Sequence, residues 1–125
     1  MLNFNSILLC SENPTALSEF YKKVFDKDPE MNEGGYTGFL VGTCFMTIGP
    51  HDKVKGKNAT PERVMFNFET TEVEKEFNRI KELGATVVAE PYHPGEMESA
   101  MIATFADPDG NYFQLITPWD QDQKK

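Results

Sequence analysis

Few residues in this 125-residue chain have types that do chemistry: two histidines, two cysteines and one acidic turn. His93 is followed by Glu96 and Glu98, and a neighbouring carboxylate can bring an imidazole into the range useful for proton transfer. Loops rich in Glu, Pro and Gly are ordinarily just exposed, however, so His51 and His93 both read as solvent-facing. Cys10 and Cys44 have no histidine nearby in sequence to activate a thiol, and strand cysteines behave as small, inert hydrophobes. Asp107, Asp109 and Asn111 alternate as in a calcium loop. The sixth position would then be Tyr112 rather than glycine and the twelfth Pro118 rather than glutamate, which breaks that pattern. Asp107-Pro-Asp-Gly110 instead has proline and glycine where a tight hairpin wants them. Lys53, Lys55 and Lys57 alternate in a polar stretch that reads as a solvated loop. No glycine-rich phosphate loop follows a strand, and no nucleophile elbow is present. No catalytic residue is assigned.

Composition narrows the partners. Twenty acidic and twelve basic residues leave a net charge of −8, which disfavours nucleic acid and anionic membrane, since both need an electropositive face. Apolar residues at 39% and charged residues at 26% are ordinary for a globular protein. No apolar run approaches the roughly 20 residues of a membrane span. The opening Met-Leu-Asn-Phe-Asn lacks the basic start and apolar stretch of a signal peptide. Two cysteines make no disulfide framework. The expectation is a cytoplasmic protein of one domain with free thiols.

Two copies of one pattern must position any site. Ser6 to Cys10 is a short apolar run and reads as a strand. Asn13-Pro14 is a helix start, with a capping amide and a proline at the first helical position. Leu17, Phe20, Tyr21, Val24 and Phe25 then recur at helical spacing. Three strands follow: near Met31, Tyr36 to Val41, and Cys44 to Ile48. Residues 51–62 form a linker. The order then repeats: a strand at Val64 to Glu69, a helix with a Thr71–Glu74 capping box ending at Gly84, and strands at Thr86–Ala89, Met101–Ala106 and Tyr112–Ile116. The repeat sets module one at 1–50, module two at 63–118 and a polar tail at 119–125.

Phe113-Gln-Leu-Ile-Thr-Pro118 ends the second copy as Phe45-Met-Thr-Ile-Gly-Pro50 ends the first. Ser6-Ile-Leu-Leu pairs with Met65-Phe-Asn-Phe at the other end. That register equates Ser6 with Met65 and Met46 with Gln114. Strand parity puts Ile7, Leu9, Phe66, Phe68, Phe113 and Leu115 under the helices. The opposite parity carries Ser6, Leu8, Cys10, Met46, Ile48, Met65, Asn67, Glu69, Tyr112, Gln114 and Ile116. Such a mixed face suits either a ligand groove or a solvated or dimer-facing surface.

Three stretches resemble the vicinal-oxygen-chelate superfamily of glyoxalase I, extradiol dioxygenases and bleomycin-resistance proteins. They are Pro14 to Phe25 with its Phe20-Tyr21 pair, Thr71 to Ala85 with its Gly-Ala end, and Phe105-Ala-Asp-Pro-Asp-Gly-Asn-Tyr-Phe-Gln-Leu115. The resemblance implies an α+β fold of two βαβββ modules whose curved sheet encloses a groove, and a homodimer. Metal-dependent members take ligands from the first and last strand of each copy. Those positions here hold Ser6, Met46, Met65 and Gln114: one hydroxyl, two thioethers and one amide, which do not suit a hard or borderline divalent ion. No metal or other cofactor is expected.

Three functions follow. The first is a metal-free protein of the bleomycin-resistance kind that sequesters a small apolar or aromatic molecule. Its groove would be lined by Ser6, Met46, Met65, Asn67, Tyr112 and Gln114, with stacking surface from Tyr36, Tyr112 and Trp119. The alternatives are a metal-dependent glyoxalase-type lyase or isomerase or a dioxygenase, and a structural or regulatory dimer with no ligand.

Overall fold

A computed structural model of the chain describes residues 1–118. Trp119 and the polar tail expected at 119–125 lie outside the described residues. The chain divides into two compact units, the second beginning at Asn58, inside the stretch expected as a linker. The first contains β1 (Ser6–Cys10), α1 (Pro14–Phe25), β2 (Met31–Glu33), β3 (Tyr36–Val41) and β4 (Cys44–Gly49). The second contains β5 (Phe66–Glu69), α2 (Val73–Glu82), β6 (Thr86–Tyr92), β7 (Ile102–Ala106) and β8 (Tyr112–Ile116). Their sheets run β1-β4-β3-β2 and β5-β8-β7-β6. In both, the first strand lies parallel to the last and the other pairs are antiparallel. Each unit is therefore a βαβββ module, and the α+β fold is as expected. Among the described residues no helix is long and apolar enough to cross a membrane.

Local chemistry explains the helix ends. Asn13 caps α1 by accepting the Ala16 amide at 3.3 Å, with Pro14 in the first turn. Asp26 closes it in the left-handed region, at φ 54°. The expected Thr71–Glu74 capping box is not formed. The Thr70 hydroxyl instead accepts the Glu72 amide at 3.0 Å, and Glu72 becomes the N-cap without a side-chain bond of its own. Gly84 takes φ +93° just past the helix, where only glycine is unstrained. Strand β5 begins at Phe66, leaving Val64 61% exposed. Strand β6 runs on through Pro91 to Tyr92. It is an edge strand with irregular pairing to β7, where a missing N–H is tolerated.

Aromatic chains carry the packing. In the first unit Phe25 of α1 meets Phe39 of β3 edge-on at 5.3 Å, above buried Leu17, Tyr21 and Ile48. In the second, Phe77 of α2 stacks on Phe105, and Phe105 on Phe113, at 5.1 and 5.5 Å. Phe39 is the ladder partner of Met46, and Met46 of Ile7. Phe113 is the partner of Phe66. The six residues Ile7, Leu9, Phe66, Phe68, Phe113 and Leu115 thus take the helix side, as expected.

The ladders also correct the internal register. Ile7 pairs with Met46 and Leu9 with Ile48, while Phe66 pairs with Phe113 and Phe68 with Leu115. Ser6 still matches Met65, but Met46 matches Phe113, and Thr47 matches Gln114. The Pro50–Pro118 likeness is one residue out of phase. Met46 and Ile48 therefore belong to the helix side, where they are 3% and 0% exposed.

Candidate functional site

In each unit, the sheet face turned away from the helix carries the candidate residues other than Met46. On that face of the second unit, Asn67, Gln114 and Thr104 form one cross-strand row. Gln114 Nε2 donates to Thr104 Oγ1 at 3.1 Å. This bond orients the amide and leaves its carbonyl oxygen without a donor among the described residues. Thr104 is buried, Gln114 half-buried and Asn67 exposed. Tyr112, two residues before Gln114 on β8, shares the face, and Glu69 closes it opposite Ile116. Met65 stands directly before β5 and is half-buried.

On the corresponding face of the first unit, Ser6 pairs with Phe45, and Leu8 with Thr47. The Ser6 hydroxyl is engaged locally, donating to Asn5 Oδ1 at 2.9 Å. Met46 points the other way, so it does not line this face as expected. What dominates here is a pair of rings laid on glycines. A Cβ built on Gly38 would come within 2.5 Å of the Phe45 ring, and one on Gly49 would collide with the ring of Tyr36. Leu8 and Leu40 flank these rings at 60% and 44% exposure. Phe45 was not among the expected site residues. A glycine inside a strand signals close approach of another group, and Gly38 and Gly49 were the available clue.

The donor set fits a catalytic metal poorly. With the register corrected, the implied ligand positions hold Ser6, Thr47, Met65 and Gln114: two hydroxyls, a thioether and an amide. None carries negative charge or an imidazole nitrogen. Among the described residues no three His, Cys, Asp or Glu come together to hold a metal ion. His51 and His93 are both exposed. His51 Nδ1 accepts the Lys53 amide at 3.1 Å, and His93 Nδ1 lies 2.8 Å from the Ala100 carbonyl. Cys10 and Cys44 are free thiols.

A family model described as a glyoxalase-like domain matches residues 6–116. Comparison with the curated proteins finds no match. Among solved structures, the chain is similar to a glyoxalase/bleomycin resistance protein/dioxygenase family enzyme from Burkholderia phytofirmans. That pair is 20% identical with a TM-score of 0.73, covering 93% of this chain and 98% of the other. A glyoxalase-related enzyme from Fulvimarina pelagi is 15% identical with a TM-score of 0.75, over 98% and 95% of the two chains. A genomically encoded fosfomycin resistance protein from Listeria monocytogenes is 19% identical with a TM-score of 0.65, over 100% and 98%. At such identities these structures speak for the fold alone.

Proposed function

The chain belongs to the glyoxalase-like domain family, within the vicinal-oxygen-chelate superfamily, and from that premise we propose that it binds and sequesters a small apolar or aromatic molecule without a catalytic metal. The observation that carries this reading is the helix-averted face of the first unit. There Phe45 and Tyr36 rest on Gly38 and Gly49, beside exposed Leu8 and Leu40. Aromatic and aliphatic surface with few polar groups suits a flat, weakly polar guest. The helix-averted face of the second unit has hydrogen-bonding groups of its own, in Asn67, Tyr112 and the Gln114 carbonyl. That a fosfomycin resistance protein shares the fold supports a protective role as one this fold serves.

A metal-dependent lyase, isomerase or dioxygenase is the alternative within the family. It would need anionic or imidazole donors that Ser6, Thr47, Met65 and Gln114 do not offer. Elemental analysis of protein dialysed without chelator separates the readings. The proposal expects substoichiometric metal, unchanged in Gln114→Ala. Stoichiometric metal that is lost in Gln114→Ala would establish the enzyme reading instead.

A further inference from the structure

The first unit carries a concavity on the helix side of its sheet. A cleft of about 200 Å³ opens where α1 crosses the β2–β3 hairpin. Thr15, Ser18, Glu19 and Lys22 face it from the helix at the three- and four-residue spacing that makes one stripe. Asn32 and Thr37, ladder partners on β2 and β3, face it from the sheet. The buried ring of Phe39 forms part of the wall.

These polar groups do not satisfy one another. Ser18 is 9% exposed and its hydroxyl is shielded from bulk water, yet it has no hydrogen-bond partner among the described residues. A helical serine usually returns its proton to the carbonyl four residues earlier. Here it does not, and a buried unsatisfied hydroxyl is the kind of group that calls for an explanation. The side chains of Thr15, Glu19, Asn32 and Thr37 also make no hydrogen bond with other described residues. Lys22 is paired with Asp28 at 3.3 Å.

We propose that this cleft binds a small neutral polyhydroxyl compound of monosaccharide or cyclitol size. The volume lies below the range of drug-sized sites, so the guest is small. Three hydroxyls and an amide both donate and accept, as the hydroxyls of a polyol do. Glu19 opposes an anion and Lys22 opposes a cation, so a neutral guest is favoured. Unoccupied, Ser18 keeps a destabilising hydroxyl, and a guest reaching it as the serine rotates would satisfy it.

The test is amide-resolved NMR titration of the full chain with myo-inositol and with D-glucose, alongside D-gluconate and D-glucosamine as charged counterparts of similar size. Saturable shifts centred on Ser18, Asn32 and Thr37 are expected with the neutral compounds. Thr37→Val should weaken them roughly five- to tenfold, the loss of one hydrogen bond. Ser18→Ala should also weaken binding while raising the melting temperature of the unliganded protein. No shift at these residues with tens of millimolar neutral polyol, equal affinity in both variants, or a response to the charged compounds alone would overturn the proposal.

Discussion

The ring of Phe45 lies against the backbone of Gly38, close enough that any β-carbon at that position would come within 2.5 Å of the ring's Cε2. The glycine is therefore a seat for the ring. Its Cβ would displace Phe45 from the face proposed to bind the guest. Gly38→Ala is expected to destabilise the fold by about 1–3 kcal/mol through overpacking. Most of that cost should vanish when Phe45 is already alanine. Denaturant unfolding of both single variants and the double variant measures the coupling, and strictly additive effects would mean that the ring sits elsewhere.

Met46 and Thr47 are sequence neighbours on opposite sides of β4. Met46 packs in the row of Ile7 and Phe39 at 3% exposure, so Met46→Ala should cost about 2–5 kcal/mol. Thr47→Ala, on the half-exposed side, should cost under about 1 kcal/mol. Phe113→Ala, in the equivalent row of the second unit and fully buried, should cost about 3–5 kcal/mol. The reverse order for Met46 and Thr47 in chemical denaturation would restore the uncorrected register.

Helical spacing in Leu17, Tyr21 and Val24, and alternation in Phe66 and Phe68, are periodic signals that burial enforces, and both fold modules were legible from them. The matching of Pro50 with Pro118 was a likeness of letters, and a proline after a strand tolerates a one-residue slip that hydrogen-bond ladders do not. A slip of one moves every side chain to the other face, which is why Met46 was misplaced while Asn67, Tyr112 and Gln114 were not. The Thr71–Glu74 spacing is equally ambiguous, because α2 starts one residue later with Glu72 as its N-cap, and it is the Thr70 hydroxyl that accepts a backbone amide, that of Glu72. The role of Phe45 depends on Gly38, a contact between strands that no local pattern states.

Lys27 and Glu30 supply a pH-dependent tie. Lys27 Nζ lies 2.6 Å from Glu30 Oε2 and donates to the Leu40 carbonyl at 2.7 Å, while the Leu40 amide donates to Glu30 Oε1 at 2.7 Å. The hydrogen bond from Lys27, followed by that from Leu40, holds the Glu30 carboxyl below its ordinary value of 4.5. A depressed carboxyl stabilises the fold above its unfolded pKa and stops doing so as pH falls through its folded pKa. The stability gap between wild type and Glu30→Gln should therefore be constant at neutral pH and close in the acid range below 4.5. Denaturation midpoints measured across pH check this, and a gap that widens on acidification would contradict it.

Each unit's sheet ends in two edge strands, β1 and β2 in the first and β5 and β6 in the second. Natural proteins cover or blunt such edges, which supports assembly as a homodimer. Sedimentation equilibrium well above micromolar concentration should return twice the chain mass, whereas a single-chain mass would argue against assembly.

A small aromatic molecule is expected to bind, without metal, on the face where Phe45 and Tyr36 rest on Gly38 and Gly49. Amide-resolved NMR titration with 2-naphthol, in buffer containing EDTA, measures this binding. Saturable shifts are expected at Leu8, Tyr36, Leu40 and Phe45, with affinity lowered about tenfold or more by Phe45→Ala, in keeping with the loss of a ring contact and its buried area. Binding that appears only after a divalent metal is added, or that leaves these four residues unshifted, would contradict it.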